Sequence, residues 1–291
     1  MSRRIVVSRD GTRISVWTNE GSGVPVVLCN GLGTPVTAWP RIIHDKATYR
    51  VVSWDQRGLG ESERPADESH ITVDDHADDL LATLDAFDID RAIFLGWSLG
   101  VNVAFEVARR DPSRVAALMA VAGVPGGSLS ALLHPMPRVL RPPAFKTGAY
   151  LLRYVGPLLS QWSAGLPTSP DGHFSPRGMS SVGLDAMHLP SILHVLSAFA
   201  KHDWTWYSRL ARATGDAEPM DLGFVDFPVT FIAGKWDSIC SAVDMKLVSR
   251  KVAHSAYVEL AGTHYLPVQF PSVMKEELDR LIRRAALPST G

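Results

Sequence analysis

The pentapeptide Gly96-Trp97-Ser98-Leu99-Gly100 restricts the folds open to this chain more than any other stretch. Just before it, Ala92, Ile93, Phe94 and Leu95 form a short apolar run that reads as a buried strand. After it, Val101, Ala104, Phe105 and Ala108 recur at helical spacing. Between a strand and a helix, a G-x-S-x-G pattern marks a turn tight enough to force strained dihedrals on the serine. The flanking glycines remove side chains that would collide with both elements. The turn holds the hydroxyl out at the carboxyl edge of a sheet, at the amino end of a helix. There main-chain N–H groups and the helix dipole favour a developing negative charge.

The remaining chain supplies such a sheet. Residues 5–17 alternate in strand fashion around the hairpin signal Asp10-Gly11. Val24 to Cys29, Tyr49 to Trp54, Val115 to Ala122, Pro228 to Ala233 and Tyr257 to Leu260 read as further strands. Between them, residues 37–47 predict a short helix with Trp39 and Ile43 at helical spacing. Thr72 to Phe87 predicts an amphipathic helix opened by a near capping box, Thr72 with Asp75. Residues 241–250 and Ser272 to Arg284 predict two more, the last with Met274, Leu278, Leu281 and Ile282 on one side. Strand and helix alternating over short links imply a mostly parallel sheet covered on both faces, with ligands at its carboxyl edge.

The alternation breaks at residue 124. Ten of the 20 prolines fall between Pro125 and Pro190, and no strand is evident before about Pro219. Helical fragments are expected around 147–162 and 186–210, with a Pro-, Ser- and Gly-rich loop near 166–183. Leu, Met, Phe and Trp are too frequent there for a solvated linker. The expected organisation is therefore a core formed by 1–123 and 220–291, with 124–219 inserted as a helical cap.

Composition narrows the partners. A net charge of −1 gives no electrostatic case for nucleic acid or an anionic membrane. Ile5, Val6 and Val7 make too short a run for a signal peptide, and no later run could span a bilayer. Cys29 and Cys240 lie far apart without metal-type spacing, so a reducing cytosol is the expected compartment and no disulfide framework is expected.

Three residues each follow the carboxyl end of a predicted strand: Ser98, Asp237 and His264. An imidazole in reach of a serine can take its proton as it attacks and return one to the leaving group. A carboxylate on the other ring nitrogen fixes the tautomer and stabilises the imidazolium. Asp203, Asp221 and Asp226 are rival acids, but none directly follows a strand. His254 precedes the last strand, and His188, His194 and His202 fall in the insertion. Asp55 and Arg57 occupy a glycine turn, where a structural role for Arg57 is the better reading. Trp97 and Trp236, which flank the candidate catalytic residues, are candidate pocket walls with Gly31, ordinary packing being the competing account. Cys240 reads as a small hydrophobe.

These motifs, with the Asn30-Gly31-Leu32-Gly33 loop and the Asp55 to Ser62 turn, resemble those of the α/β-hydrolase superfamily over about 5–123 and 228–285. The resemblance implies an eight-stranded, mostly parallel sheet flanked by helices, with a cap after the sixth strand. It also implies an oxyanion hole from the main-chain N–H groups of Leu32 and Leu99, and chemistry that needs no cofactor and no metal. Two positions depart from the usual pattern. Asn30 stands where histidine is common, an exchange a left-handed backbone would tolerate but which adds polarity near the hole. Val101 stands where glycine often follows the turn.

The function expected is a serine hydrolase cleaving a small or medium-sized apolar carboxylic ester through an acyl-enzyme. C–C bond hydrolysis, lactone opening and non-hydrolytic lyase, cyclase or acyl-transfer chemistry are alternatives on the same fold. A ligand receptor that retains the triad is the alternative of another class. Activity is expected to rise with pH, since a protonated His264 cannot accept the serine proton.

Overall fold

The computed structural model describes residues 2–126, 136–163, 195, 197–215 and 219–285. Eight strands form one sheet: β1 (Ser2–Val7), β2 (Arg13–Thr18), β3 (Val24–Cys29), β4 (Tyr49–Trp54), β5 (Ala92–Trp97), β6 (Val115–Val121), β7 (Val229–Gly234) and β8 (Ser255–Leu260). Their order is β1-β2-β4-β3-β5-β6-β7-β8. The β1–β2 and β2–β4 pairs are antiparallel and every other pair is parallel. Central strands of such a sheet are covered on both faces, which is why every residue of β5, β6 and β7 is buried and only Thr230 of β7 interrupts their apolar runs.

The two faces divide by strand alternation. On β5, Phe94 joins Val27, Cys29 and Phe231 on one side, while Ile93, Leu95 and Trp97 join Val26, Leu28 and Met119 on the other. The first side is covered by α2 (Val73–Ala86) and α3 (Leu99–Arg110) through Ala77, Leu80, Leu84, Ala104 and Phe105, and α6 (Ala242–Ser249) adds Met245. The second is covered by α1 (Pro40–Ile43) and α8 (Pro271–Arg284) through Ile42, Ile43, Met274, Leu278 and Leu281. Each large side chain sealed in these layers contributes about 1.5–3 kcal/mol. Thr72 caps α2 in a full capping box with Asp75, worth about 1 kcal/mol.

Between β6 and β7 lie α4 (Arg141–Ser163) and α5 (Trp204–Gly215), packed on each other. A third apolar cluster joins them to the core loops, with Trp204, Trp206, Tyr207 and Leu210 of α5 against Leu59 and the partly buried Leu32. The short α7 (Leu266–Gln269) follows the last strand and precedes α8.

Some helix limits differ from expectation. The segment expected over 37–47 is a 3-10 turn, Val36–Ala38, followed by the single turn α1. Pro40 lacks an N–H and fits only the first turn of a helix, so the helix cannot begin before it. Asp45 then accepts from Thr48 N and turns the chain into β4. The helix expected from 147 starts at Arg141, because Pro142 and Pro143 fall in its first turn, where no intrahelical N–H bond is needed. The helix expected over 186–210 does not run unbroken. Asp203 Oδ1 accepts from Thr205 N and Trp206 N, which makes it the N-cap of a new helix reaching Gly215. The expected loop near 166–183, with His188 and His194, lies outside the described residues.

Candidate active site

Ser98 sits between β5 and α3 with φ 55° and ψ −118°. A non-glycine residue there is strained by about 1–3 kcal/mol. The surroundings hold it: Ser98 N donates to Val121 O at 2.9 Å, and Val101 N donates to Ser98 O at 3.1 Å. The turn is as tight as the motif requires. A Cβ on Gly100 would lie 1.7 Å from Cys29 O, and one on Gly96 2.7 Å from Val101 Cα.

Asp237 follows β7 and His264 follows β8, so both reach the same sheet edge as Ser98. His264 Nδ1 donates to Asp237 Oδ2 at 2.8 Å, and Ser98 Oγ is 2.9 Å from His264 Nε2. The other carboxylate oxygen, Oδ1, accepts from Ile239 N and Cys240 N, each at 2.8 Å. The Asp237 side chain is sealed from solvent. That carboxylate selects the tautomer with the proton on Nδ1, so Nε2 presents a lone pair to the serine hydroxyl. Trp97, fully buried, donates its Nε1–H to His264 O at 2.9 Å.

The Asn30 to Gly33 loop lies beside the serine. Gly31 O accepts from Thr34 N at 3.0 Å, Thr34 Oγ1 at 2.8 Å and Gln56 Nε2 at 3.2 Å. In a trans peptide the N–H points opposite to the C=O, so these three donors fix the Leu32 N–H facing away from them. Leu99 N heads α3, where an N–H has no intrahelical acceptor. Neither N–H donates to a protein group among the described residues.

The Asn30 expectation is corrected on both counts. The positive φ in the loop, 69°, belongs to Gly33. The Asn30 side chain turns into the core, donating to Ser53 Oγ at 3.0 Å and accepting from Trp39 Nε1 at 2.9 Å. It adds no polarity to the space above Ser98.

A cavity of about 510 Å³ opens over Ser98 and His264, and the candidate pocket residues Gly31 and Trp97 line it together with Leu32. Trp236 does not: it is 62% exposed, and Ile239 and Cys240 of the same loop face the cavity instead. Phe145, Leu152 and Phe199 bring apolar surface from the segment between β6 and β7, and Tyr265 does so from beside His264. No Asp, Glu, Lys or Arg lines the cavity among the described residues. Burial pushes the Cys240 thiol well up, and neighbouring carboxylates add to it.

The rival residues sit elsewhere. Asp203 pairs with Arg64 at 2.6 Å, and Asp221 accepts from Gly223 N on an exposed loop. Asp226 is exposed, and His254 O accepts from Val229 N. Arg57 is structural. It is 1% exposed, donates twice to Asp79 at 2.8 Å and also reaches Asp10, Ser8 and His70 O. Gln56 was not singled out by sequence, although it follows β4 at the same sheet edge as the other site residues. Among the described residues, no three His, Cys, Asp or Glu side chains converge as metal ligands, and no helix is long and apolar enough to cross a membrane.

Comparison with known proteins agrees with this architecture. A family model described as alpha/beta hydrolase fold matches residues 24–177. The 2-hydroxymuconate semialdehyde hydrolase of Pseudomonas sp. strain CF600 is 38% identical over 127 residues, which cover 40% of this chain and 44% of that protein. Seven curated relatives of 32–38% identity are matched over only 34–44% of their own length. Among solved structures, a thermophilic esterase from Thermogutta terrifontis aligns with a TM-score of 0.73 at 19% identity, covering 99% of this chain and 100% of that one. The enol-lactonase from Burkholderia xenovorans LB400 aligns with a TM-score of 0.73 at 21% identity, covering 96% and 100%.

Proposed function

This chain belongs to the alpha/beta hydrolase fold family, and from that premise we propose that it is a serine hydrolase cleaving a neutral, apolar carboxylic ester. The observation that carries the reading is the continuous contact from Asp237 through His264 to Ser98, at 2.8 and 2.9 Å.

In the proposed reaction Ser98 Oγ attacks the ester carbonyl while His264 Nε2 takes its proton. The oxyanion forms between the N–H groups of Leu32 and Leu99, each a free donor among the described residues. Losing one such donor costs about 3–4 kcal/mol of transition-state stabilisation. His264 then protonates the leaving alcohol, and the acyl group stays on Ser98. Water, deprotonated by His264, attacks the acyl carbonyl; the acid leaves and the serine regains its proton.

The cavity supports the substrate class. A walled apolar space without a described cationic side chain offers nothing to balance a substrate carboxylate. That favours a neutral ester or neutral lactone over a dicarboxylate derivative. Residues 124–219 are proposed as a cap, since Phe145, Leu152, Phe199 and Tyr207 from that stretch close over the serine.

Labelling by a fluorophosphonate probe, followed by turnover of a p-nitrophenyl ester series from acetate to decanoate, tests the reading. Both are expected in the unaltered protein and both are expected to vanish in Ser98→Ala. Labelling without turnover of any neutral ester or lactone would favour the receptor or a non-hydrolytic enzyme. Absence of labelling would remove the nucleophile assignment.

A further inference from the structure

Two carbonyls of the loop beside Ser98 are held from the core, and the next two from the segment between β6 and β7. Gln56 Nε2 reaches Asn30 O at 3.1 Å and Gly31 O at 3.2 Å. Tyr207 donates its hydroxyl to Leu32 O at 3.3 Å, and His202 Nε2 lies 2.7 Å from Gly33 O. We propose that His202 and Tyr207 are positioning residues for the oxyanion loop, completing from α5 and the turn before it the hold that the core has on that loop.

The loop needs such restraint at the place where these side chains act. Gly33 has φ 69°, and a glycine flanked by free peptides turns them at little cost. The Leu32 N–H sits on a peptide whose carbonyl is fixed by Thr34 and Gln56. The following peptide, Leu32–Gly33, is held on both sides: its N–H donates to Gln56 Oε1 at 3.2 Å and its carbonyl accepts from Tyr207. With both neighbours pinned, the backbone of Leu32 cannot rotate its N–H away from Ser98 without breaking bonds on each side.

The two side chains are themselves rigid. Their rings stack at 5.7 Å and 17°. Phe199 packs edge-on against both, at 5.7 and 5.0 Å. They approach as closely as the backbone allows: a Cβ on Gly33 would lie 2.5 Å from His202 Nε2 and 3.0 Å from Tyr207 Cε2. The same turn is tied to the core independently, by Trp206 Nε1 donating to Arg57 O at 2.8 Å and by the Arg64–Asp203 pair. A carbonyl partner requires a proton on His202 Nε2. Burial lowers the pKa of His202, although the Gly33 bond and Asp55 oppose this; the neutral form with Nε2 protonated satisfies the contact.

The kinetic consequence rests on the hydrolase reading, but the restraint itself does not, and the test separates them. Tyr207→Phe removes the hydroxyl and keeps the ring; His202→Leu removes the donor; His202→Gln keeps an N–H within reach. On a neutral p-nitrophenyl ester, the Phe and Leu variants are expected to lose kcat by about 5- to 30-fold with KM changed less than about twofold, and Gln to recover most of the loss. Amide hydrogen exchange of Gly33 and Thr34 is expected to accelerate in the Phe and Leu variants and not in Gln. Unchanged exchange in both variants, or a change in KM alone, would overturn the proposal. An unaltered protein that turns over no ester would sink the hydrolase reading, and the exchange measurement would still decide the restraint. Tyr207→Phe keeps the buried ring, so a folding failure of the His202 variants leaves it decisive.

Discussion

The indole of Trp97 donates a hydrogen bond to the backbone carbonyl of His264 at 2.9 Å. The residue before the proposed nucleophile thus holds the backbone of the proposed base, across a sequence separation of 167 positions. The ring is fully buried and meets Trp39 edge-on at 6.5 Å, so the donor has little freedom to move.

Trp97→Phe keeps most of the apolar volume and loses that donor. The His264 carbonyl is left without its indole partner, at a cost of about 1–3 kcal/mol. We expect a lower melting temperature together with a fall in kcat that exceeds any change in KM. Thermal unfolding and steady-state ester kinetics on the same preparation check both. A loss of stability with unchanged kcat would show that the tether does not position the base.

The strain at Ser98 yields a prediction of opposite sign. At φ 55° and ψ −118° any side chain is unfavourable, and glycine is not. Ser98→Gly is expected to abolish turnover and raise stability by about 1 kcal/mol, the strain relief outweighing glycine's extra unfolded-state entropy. Ser98→Ala keeps the Cβ and is expected to unfold at a lower temperature than Ser98→Gly. Equal melting temperatures for the two variants would mean that the turn stores no strain.

Acid stability follows from the cluster around Arg57. Burial pushes the Asp10 carboxyl up, but hydrogen bonds from Thr12 and the Arg57 guanidinium outweigh it and hold the pKa down from 3.8 to about 2. Burial likewise opposes the Asp79 carboxylate, and His76 and Arg57 beside it prevail, so its pKa is also lowered. A depressed folded-state pKa means that the unfolded chain binds the proton first. The stabilisation is complete above about pH 4 and disappears as the pH falls toward 2. For Asp10, which is partly exposed and so partly screened, it amounts to about 1 kcal/mol. Asp10→Asn should therefore unfold below the unaltered protein at pH 7, with the gap closing between pH 4 and pH 2. A gap that persisted at pH 2 would argue against the charge as its source.

Gly148 lies within α4 and lines the cavity, and a methyl group there would meet no described atom within 4 Å. A glycine inside a helix costs about 1 kcal/mol relative to alanine, so packing does not account for it. Gly148→Ala is expected to stabilise the protein by about 0.5–1 kcal/mol with kinetics nearly unchanged. Gly148→Leu should lower kcat/KM for a decanoyl ester by about tenfold or more while leaving the acetyl ester nearly unaffected. Equal losses for short and long chains would place the acyl group elsewhere.

Much of this molecule can be read from its residues in order. β3 and β4 have the expected limits because a strand buried on both faces is a largely apolar run bounded by turns. The three side chains that meet at the site each end a parallel strand, and parallel strands present those ends on one edge whatever their order. The limits of α1 and α4 depart from periodicity where proline in the first turn overrides it, and the helix expected over 186–210 breaks where Asp203 caps a new one.

What the sequence determined by itself is therefore local and periodic: the strands, the strained turn at Ser98, and the chain order of alcohol, carboxylate and imidazole. Only the tertiary structure decided which side chains face the cavity and which brace it. Trp236 turns outward while Cys240 turns in, Asn30 points into the core, and Gln56, His202 and Tyr207 grip one glycine loop from two sides. These contacts join segments up to 175 positions apart, and a hydrogen bond between them depends on how helices and loops stack in space, a property that no local spacing of residues encodes.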